Sequence, residues 1–184
     1  YKDDLKLKEA FREVATRTKG LVYLYGDSSE TQYLKDLPNI RTYGEASNSD
    51  YQIQNYKGKR FASSFDRVNE GKIIGSFDLA SPGFHNALNA TVAVAVAVDL
   101  GLSIEKIKKG ISQFAGVARR FQYRGEINGV SFIDDYAHLP TEVQSALEAA
   151  KAGKWNRIVA VFQPHRFTRP SDLASAFSDC FQDA

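Results

Sequence analysis

The sequence predicts an α/β fold, and three observations carry the prediction. Residues 130–134 hold the β-branched and aromatic run of a strand. Residues 141–151 follow as a helix and residues 157–162 as a second strand. Such a unit has a right-handed crossover and parallel strands. Residues 51–79 show strand periodicity in three stretches, Tyr51–Tyr56, Arg60–Phe65 and Lys72–Leu79. They are separated by Lys57-Gly58-Lys59 and Asn69-Glu70-Gly71, which predicts an antiparallel meander. Thr91–Asp99 alternates Val and Ala as a strand would, but the run is long, alanine-rich and closed by Gly101, so it reads as a buried helix.

The totals bound the class. At 184 residues with 43% hydrophobic content the chain can build a sizeable core as one large or two modest domains. A net charge of +2, from 24 basic and 22 acidic residues, gives no field that would draw nucleic acid or an anionic membrane. The single cysteine, Cys180, excludes an internal disulfide and suits a reducing compartment. No apolar run approaches the roughly 20 residues of a membrane span, so a soluble, cytoplasmic protein without membrane insertion is expected. The sequence has no methionine and begins at Tyr1; it is read as an excerpt of a longer protein.

Taken in order, Asp3 and Asp4 precede Leu7, Ala10, Phe11 and Val14, one apolar stripe on an amphipathic surface helix with acids at its positive end. Leu21–Tyr25 is a short strand, stopped by Gly26-Asp27-Ser28-Ser29, a turn plus N-cap rather than a phosphate loop. Glu30–Leu37 can form a short helix before Pro38, and Ile40–Tyr43 another strand. Lys57, Lys59 and Arg60 make a basic cluster that reads as a solvated turn. Ser103 can cap a helix through Ile107, Ile111 and Phe114 that ends at Gly116. A boundary is expected near residues 116–119, where this helical layer gives way to Arg119-Arg120-Phe121 on a new strand and the Asn128-Gly129 hairpin. Two adjacent arginines on a strand face opposite sides, so one can reach a ligand while the other is structural or solvated. Ser171 can cap a last helix with Leu173, Phe177, Cys180 and Phe181 as its apolar stripe, which makes Cys180 a core residue. Two parallel strands are too few for a complete domain, so further strands are expected beyond the C-terminus.

Chemistry gathers where the strands stop. The strand of residues 130–134 ends in Asp134, Asp135, Tyr136 and His138, with Pro140 in the first turn of the following helix. The strand of residues 157–162 ends in Gln163, Pro164, His165, Arg166 and Arg169. Parallel strands put both groups at one carboxyl edge, where open α/β sheets bind ligands. A second cluster opens the helix after Pro82-Gly83: His85, Asn86 and Asn89, with the two asparagines on one face. An asparagine amide offers a donor and an acceptor, matching the N6/N7 edge of adenine. Either asparagine alone reads equally as an N-cap.

Three stretches, Pro82–Ala90, Arg119-Arg120-Phe121 and Asp134–Glu142, resemble in order and spacing the Mur ligases of peptidoglycan synthesis. A fourth, Gln163–Arg169, points within that family to the member that acts on UDP-N-acetylmuramate and L-alanine. The resemblance implies a truncated P-loop-type central domain with its antiparallel meander over residues 1–117. A partial Rossmann-like βαβα C-terminal domain follows over residues 118–184. It implies ATP and Mg²⁺ as cofactors and an acyl-phosphate intermediate. By motif, His85, Asn86 and Asn89 would hold adenine, Asp135 would accept from the ribose, and Arg120 would approach the transferred phosphate. His138, His165, Arg166 and Arg169 would bind the amino-acid carboxylate or the charge of the tetrahedral intermediate. Cations and arginine forks suit those tasks.

The sequence departs from the family pattern at Leu139, where a second histidine is usual, and at Pro170, where a threonine is usual. No G-x-x-x-x-G-K-[ST] occurs, so the phosphate loop, the principal metal ligands and the UDP-binding domain are expected upstream of Tyr1, and the chain alone is expected to be inactive. The alternatives are a muropeptide recycling ligase, another Mur or folylpolyglutamate-type ligase, and a non-catalytic nucleotide-binding module.

Overall fold

The structure, a computed structural model, describes residues 3–69 and 71–184. Tyr1, Lys2 and Glu70, the last in the expected turn before Gly71, lie outside the described residues, as does the side chain of Arg169.

Helix α1 (Asp4–Arg17) starts where Asp3 accepts a hydrogen bond from the backbone of Leu5 at 3.0 Å. Its apolar stripe does not face the core as expected. Leu5, Phe11 and Val14 are 70%, 57% and 65% exposed, and Ala15 is the buried residue. The docking face is polar instead. Arg12 donates to the Asp36 carboxylate at 2.9 and 2.6 Å and to the Tyr33 carbonyl at 2.6 Å. Asn39 Nδ2 donates to the carbonyls of Ala15 and Thr18 at the helix end, each at 3.1 Å. Those partners satisfy carbonyls that a helix C-terminus leaves free.

A five-stranded mixed sheet follows: β1 (Val22–Tyr25), β2 (Ile40–Gly44), β3 (Tyr51–Gly58), β4 (Ser63–Asn69) and β5 (Lys72–Leu79), in that spatial order. The first three strands run parallel and the last three form the antiparallel meander. A 3₁₀ turn over Ser29–Leu34 links β1 to β2 in place of the expected longer helix. Helix α2 (Phe84–Asp99) buries Ala87, Ala90, Thr91, Val94 and Ala95, a spacing of three and four, which is why the Val/Ala alternation folds as a helix. Ala87, Ala90 and Val94 pack on Ile53, Phe65, Phe77 and Leu79 of the sheet and Ile107 of α3 (Ile104–Gln113). Ser103 occupies the α3 N-cap position without a side-chain capping bond. The hydroxyls of Tyr23 and Tyr51 both donate to Asp99, tying the sheet to the C-terminal end of α2. Burial and that hydrogen bond push Tyr23 up to about 12.

Beyond residue 117 the expected strand position of Arg119 and Arg120 is not observed. They lie in a turn, and Arg119 and Phe121 adopt positive φ of 58° and 46°. The hairpin β6 (Gln122–Ile127) to β7 (Val130–Asp134) turns on Asn128 and Gly129, whose φ values of 52° and 78° are those of a type I′ turn. Helix α4 (Pro140–Ala152) has Pro140 in its first turn, as expected.

Residues 157–162 make no ladder with β7 among the described residues, so the expected second parallel strand is not formed. The alternation of a strand persists: Ile158 and Phe162 pack inward while Val159 and Val161 are 67% and 96% exposed. A strand is defined by its partner, and none stands in register beside this segment. The last helix is divided into α5 (Thr168–Asp172) and α6 (Ala174–Asp179), starting before Ser171 and broken at Leu173. Phe177, Cys180 and Phe181 pack on Val143 and Leu147 of α4. Cys180 is therefore core, and burial pushes its thiol pKa up.

Candidate nucleotide-binding site

The N-terminal end of α2 faces the turn before β6 and the start of α4 across a cavity of about 740 Å³. That volume suits a ligand of nucleotide size. Its walls include His85, Asn86 and Asn89 from α2 and Arg120 and Asp135 from the other side, with Glu142 beside them. Five of the nine residues singled out in the sequence thus meet in one space. Gly83, at φ 95°, admits the close approach that starts α2, because a Cβ there would stand 2.6 Å from the His85 ring.

The two asparagines are not equivalent. Asn86 Nδ2 donates to Ser81 Oγ at 2.9 Å and to the Pro82 carbonyl at 2.7 Å, so its donor edge anchors the loop before the helix. Both Nδ2 hydrogens of Asn86 are thus engaged within the chain, which leaves its Oδ1 as the atom open to a ligand donor. Asn89, one turn later and exposed, also lines the cavity. His85 is half-buried, and desolvation lowers its pKa despite the opposing pull of the Asp135 charge, with Arg120 adding to the lowering.

Asp135 organises backbone. Its Oδ2 accepts from Phe121 N at 2.8 Å and its Oδ1 from Ala137 N at 2.7 Å, pinning the Arg119–Phe121 turn against the end of β7. Each carboxylate oxygen keeps a second lone pair for an acceptor role.

Glu142 is the residue that sequence reasoning missed. One oxygen accepts from the backbone of His138 at 2.9 Å and of Leu139 at 3.2 Å, and the other lies 3.4 Å from Arg120 Nη1. Burial pushes its pKa up, but those two N–H groups and the charges of His138 and Arg120 outweigh it and hold the carboxyl below its ordinary value. Its place at the third position of a helix begun by proline was the available signal, since a glutamate there reaches back to the free N–H groups.

His138, His165 and Arg166 do not line the cavity. His138 Nδ1 sits 3.0 Å from the Tyr136 carbonyl and 3.2 Å from Glu142 Oε2. The rings of His138 and His165 lie edge to face at 6.3 Å, so the two segment ends converge without a shared ladder. Arg166 is exposed, at φ 67°. Through Glu142, Arg120 at the cavity and His138 at this second cluster are held by one carboxylate.

The family described as "Mur ligase, glutamate ligase domain" matches residues 119–183. A UDP-N-acetylmuramate–L-alanine ligase of Mesorhizobium japonicum is 43% identical over 97% of this chain and 41% of its own length. One from Caldanaerobacter subterraneus subsp. tengcongensis is 39% identical over 100% of this chain, again 41% of its own length. The crystal structure of UDP-N-acetylmuramate–alanine ligase from Thermotoga maritima superposes with a TM-score of 0.81 at 29% identity, over 99% of this chain and 40% of that one. The chain thus spans about two fifths of the length of the relatives it matches. The family match over residues 119–183 and relatives similar over nearly the whole chain make the chain a member of the Mur ligase family.

Proposed function

We propose that the whole protein joins L-alanine to UDP-N-acetylmuramate for peptidoglycan synthesis in the cytoplasm. ATP phosphorylates the muramate carboxylate, and the amine of L-alanine attacks the acyl phosphate to give the amide, ADP and phosphate. Residues 1–117 belong on this account to the central ATP-binding domain and residues 118–184 to the C-terminal, amino-acid-binding domain. The observation that supports it best is the cavity with Asn89 on one wall and Arg120 and Asp135 on the other.

The residues present fit an adenine nucleotide. Asn89 reads the base edge, His85 in its neutral form packs beside it, and Asp135 accepts from the ribose with the lone pairs its backbone partners leave. Arg120 supplies a fixed positive charge towards the phosphates, oriented by Glu142. His138, His165, Arg166 and Arg169 serve the amino-acid carboxylate and the charge of the intermediate. Mg²⁺ would accompany the ATP phosphates. Among the described residues no group of three or more His, Cys, Asp or Glu side chains is placed to hold a metal, so no step is assigned to it. No helix among them is long and apolar enough to cross a membrane.

The test is a chimera in which residues 1–184 replace the matching stretch of the Mesorhizobium japonicum ligase. ADP release that requires both UDP-N-acetylmuramate and L-alanine is expected. A folded chimera that is inactive, or that prefers a peptide to L-alanine, would contradict the assignment.

A further inference from the structure

The basic turn between β3 and β4 read in the sequence as a solvated loop, but the structure uses it as a contact. Arg60 stacks its guanidinium over Trp155 at 4.1 Å, within cation–π range. Phe61 meets the ring of Tyr123 edge to face at 4.9 Å and that of Trp155 at 5.7 Å. Two glycines permit the approach. A Cβ at Gly58 would stand 3.0 Å from the Ala152 side chain, and one at Gly153 would stand 2.7 Å from Trp155 Nε1. Trp155 packs in turn in the cluster of Phe121, Ala149 and Ala150. Phe121 follows Arg120 directly and donates its backbone N–H to Asp135. A continuous packed path therefore leads from the β3–β4 turn to the two residues on the far wall of the large cavity.

We propose that Arg60 and Phe61 are positioning residues. They dock the Trp155–Phe121 cluster on the sheet and so fix the gap between Asn89 on one wall and Arg120 and Asp135 on the other. Their effect on nucleotide rests on the nucleotide reading of the cavity, whereas the docking itself does not. Lys59, their neighbour in the turn, has no part in it.

The sequence makes the docking directly measurable. Trp155 is the only tryptophan and Cys180 the only cysteine, the latter buried, so emission reports the contact and spin labels can be placed at Ser112→Cys and Gln144→Cys across the cavity. In the 184-residue chain, Phe61→Ala and the milder Arg60→Gln should red-shift Trp155 emission and broaden the inter-label distance distribution. Lys59→Ala should leave both as in wild type. In the chimeric ligase, which supplies the phosphate loop, ATP affinity read by titration calorimetry should fall about threefold to tenfold in the two docking variants, the scale of one aromatic or cation–π contact. Wild-type emission and distances in both docking variants would overturn the docking. A broadened distribution with unchanged ATP affinity would overturn the positioning role. A chimera whose ATP affinity is unmoved by Asn89→Ala would contradict the nucleotide reading, while emission and distances still decide the docking.

Discussion

Glu142 and Arg120 stand 3.4 Å apart at the edge of the large cavity, and the same carboxylate holds the backbone N–H groups that open α4. One side chain thus caps a helix and orients the cation that faces the ligand space. Glu142→Gln keeps an acceptor for the N–H groups and loses the charge; Glu142→Ala loses both. Urea unfolding should show Glu142→Ala destabilised by about 1–2 kcal/mol, the scale of a lost helix cap, and Glu142→Gln by clearly less. Equal losses would mean that the cap does not carry the effect.

The same carboxylate gives stability a pH dependence of known sign. Its folded pKa is held below its ordinary value, so its contribution is present above the unfolded pKa and is lost as pH falls through the folded one. His85 acts in the same direction at higher pH. Its folded pKa is also lowered, so the unfolded chain takes up the proton first and stability starts to fall below about pH 6.5. Thermal unfolding of wild type and His85→Gln between pH 7.5 and 5 should diverge, with the variant losing less stability. Parallel curves would remove His85 as the source.

Arg166 is exposed in this chain, yet its motif assigns it to the amino-acid carboxylate. In the chimeric ligase, Arg166→Ala should reduce L-alanine-dependent ADP release by the equivalent of about 2–5 kcal/mol and leave ATP affinity nearly unchanged, if the guanidinium pairs a carboxylate shielded from water. An unchanged rate would place Arg166 outside the site.

Local signals were legible where one residue type determines the backbone. Asn128-Gly129 demanded a type I′ turn because both positions need positive φ, and α2 was told from a strand by its length and alanine content. Signals that depend on a partner were not. The alternation at 157–162 specifies a strand, but pairing needs a neighbour that the pattern does not name. The apolar stripe of α1 suggested a buried face, and the docking contacts went to the half-buried Arg12 and Asn39, whose partners are distant in sequence. The candidate site was legible as a set of residues but not as a division of labour. Nothing in the sequence told that Asn86 turns its donors to Ser81 and Pro82 while Asn89 keeps its amide on the cavity, or that Arg60 stacks on Trp155.

That division gives the most direct test of the account, a calorimetric titration of ATP into the chimeric ligase and its Asn86→Ala and Asn89→Ala variants, with urea unfolding of the 184-residue chain carrying each substitution. Asn86→Ala should lose about 1–2 kcal/mol of stability with its two hydrogen bonds, whereas Asn89→Ala should unfold within about 0.5 kcal/mol of wild type. Asn89→Ala should bind ATP about tenfold more weakly, as the loss of one bidentate base contact requires. Wild-type affinity in a fully folded Asn89→Ala would contradict the claim that this cavity reads the base.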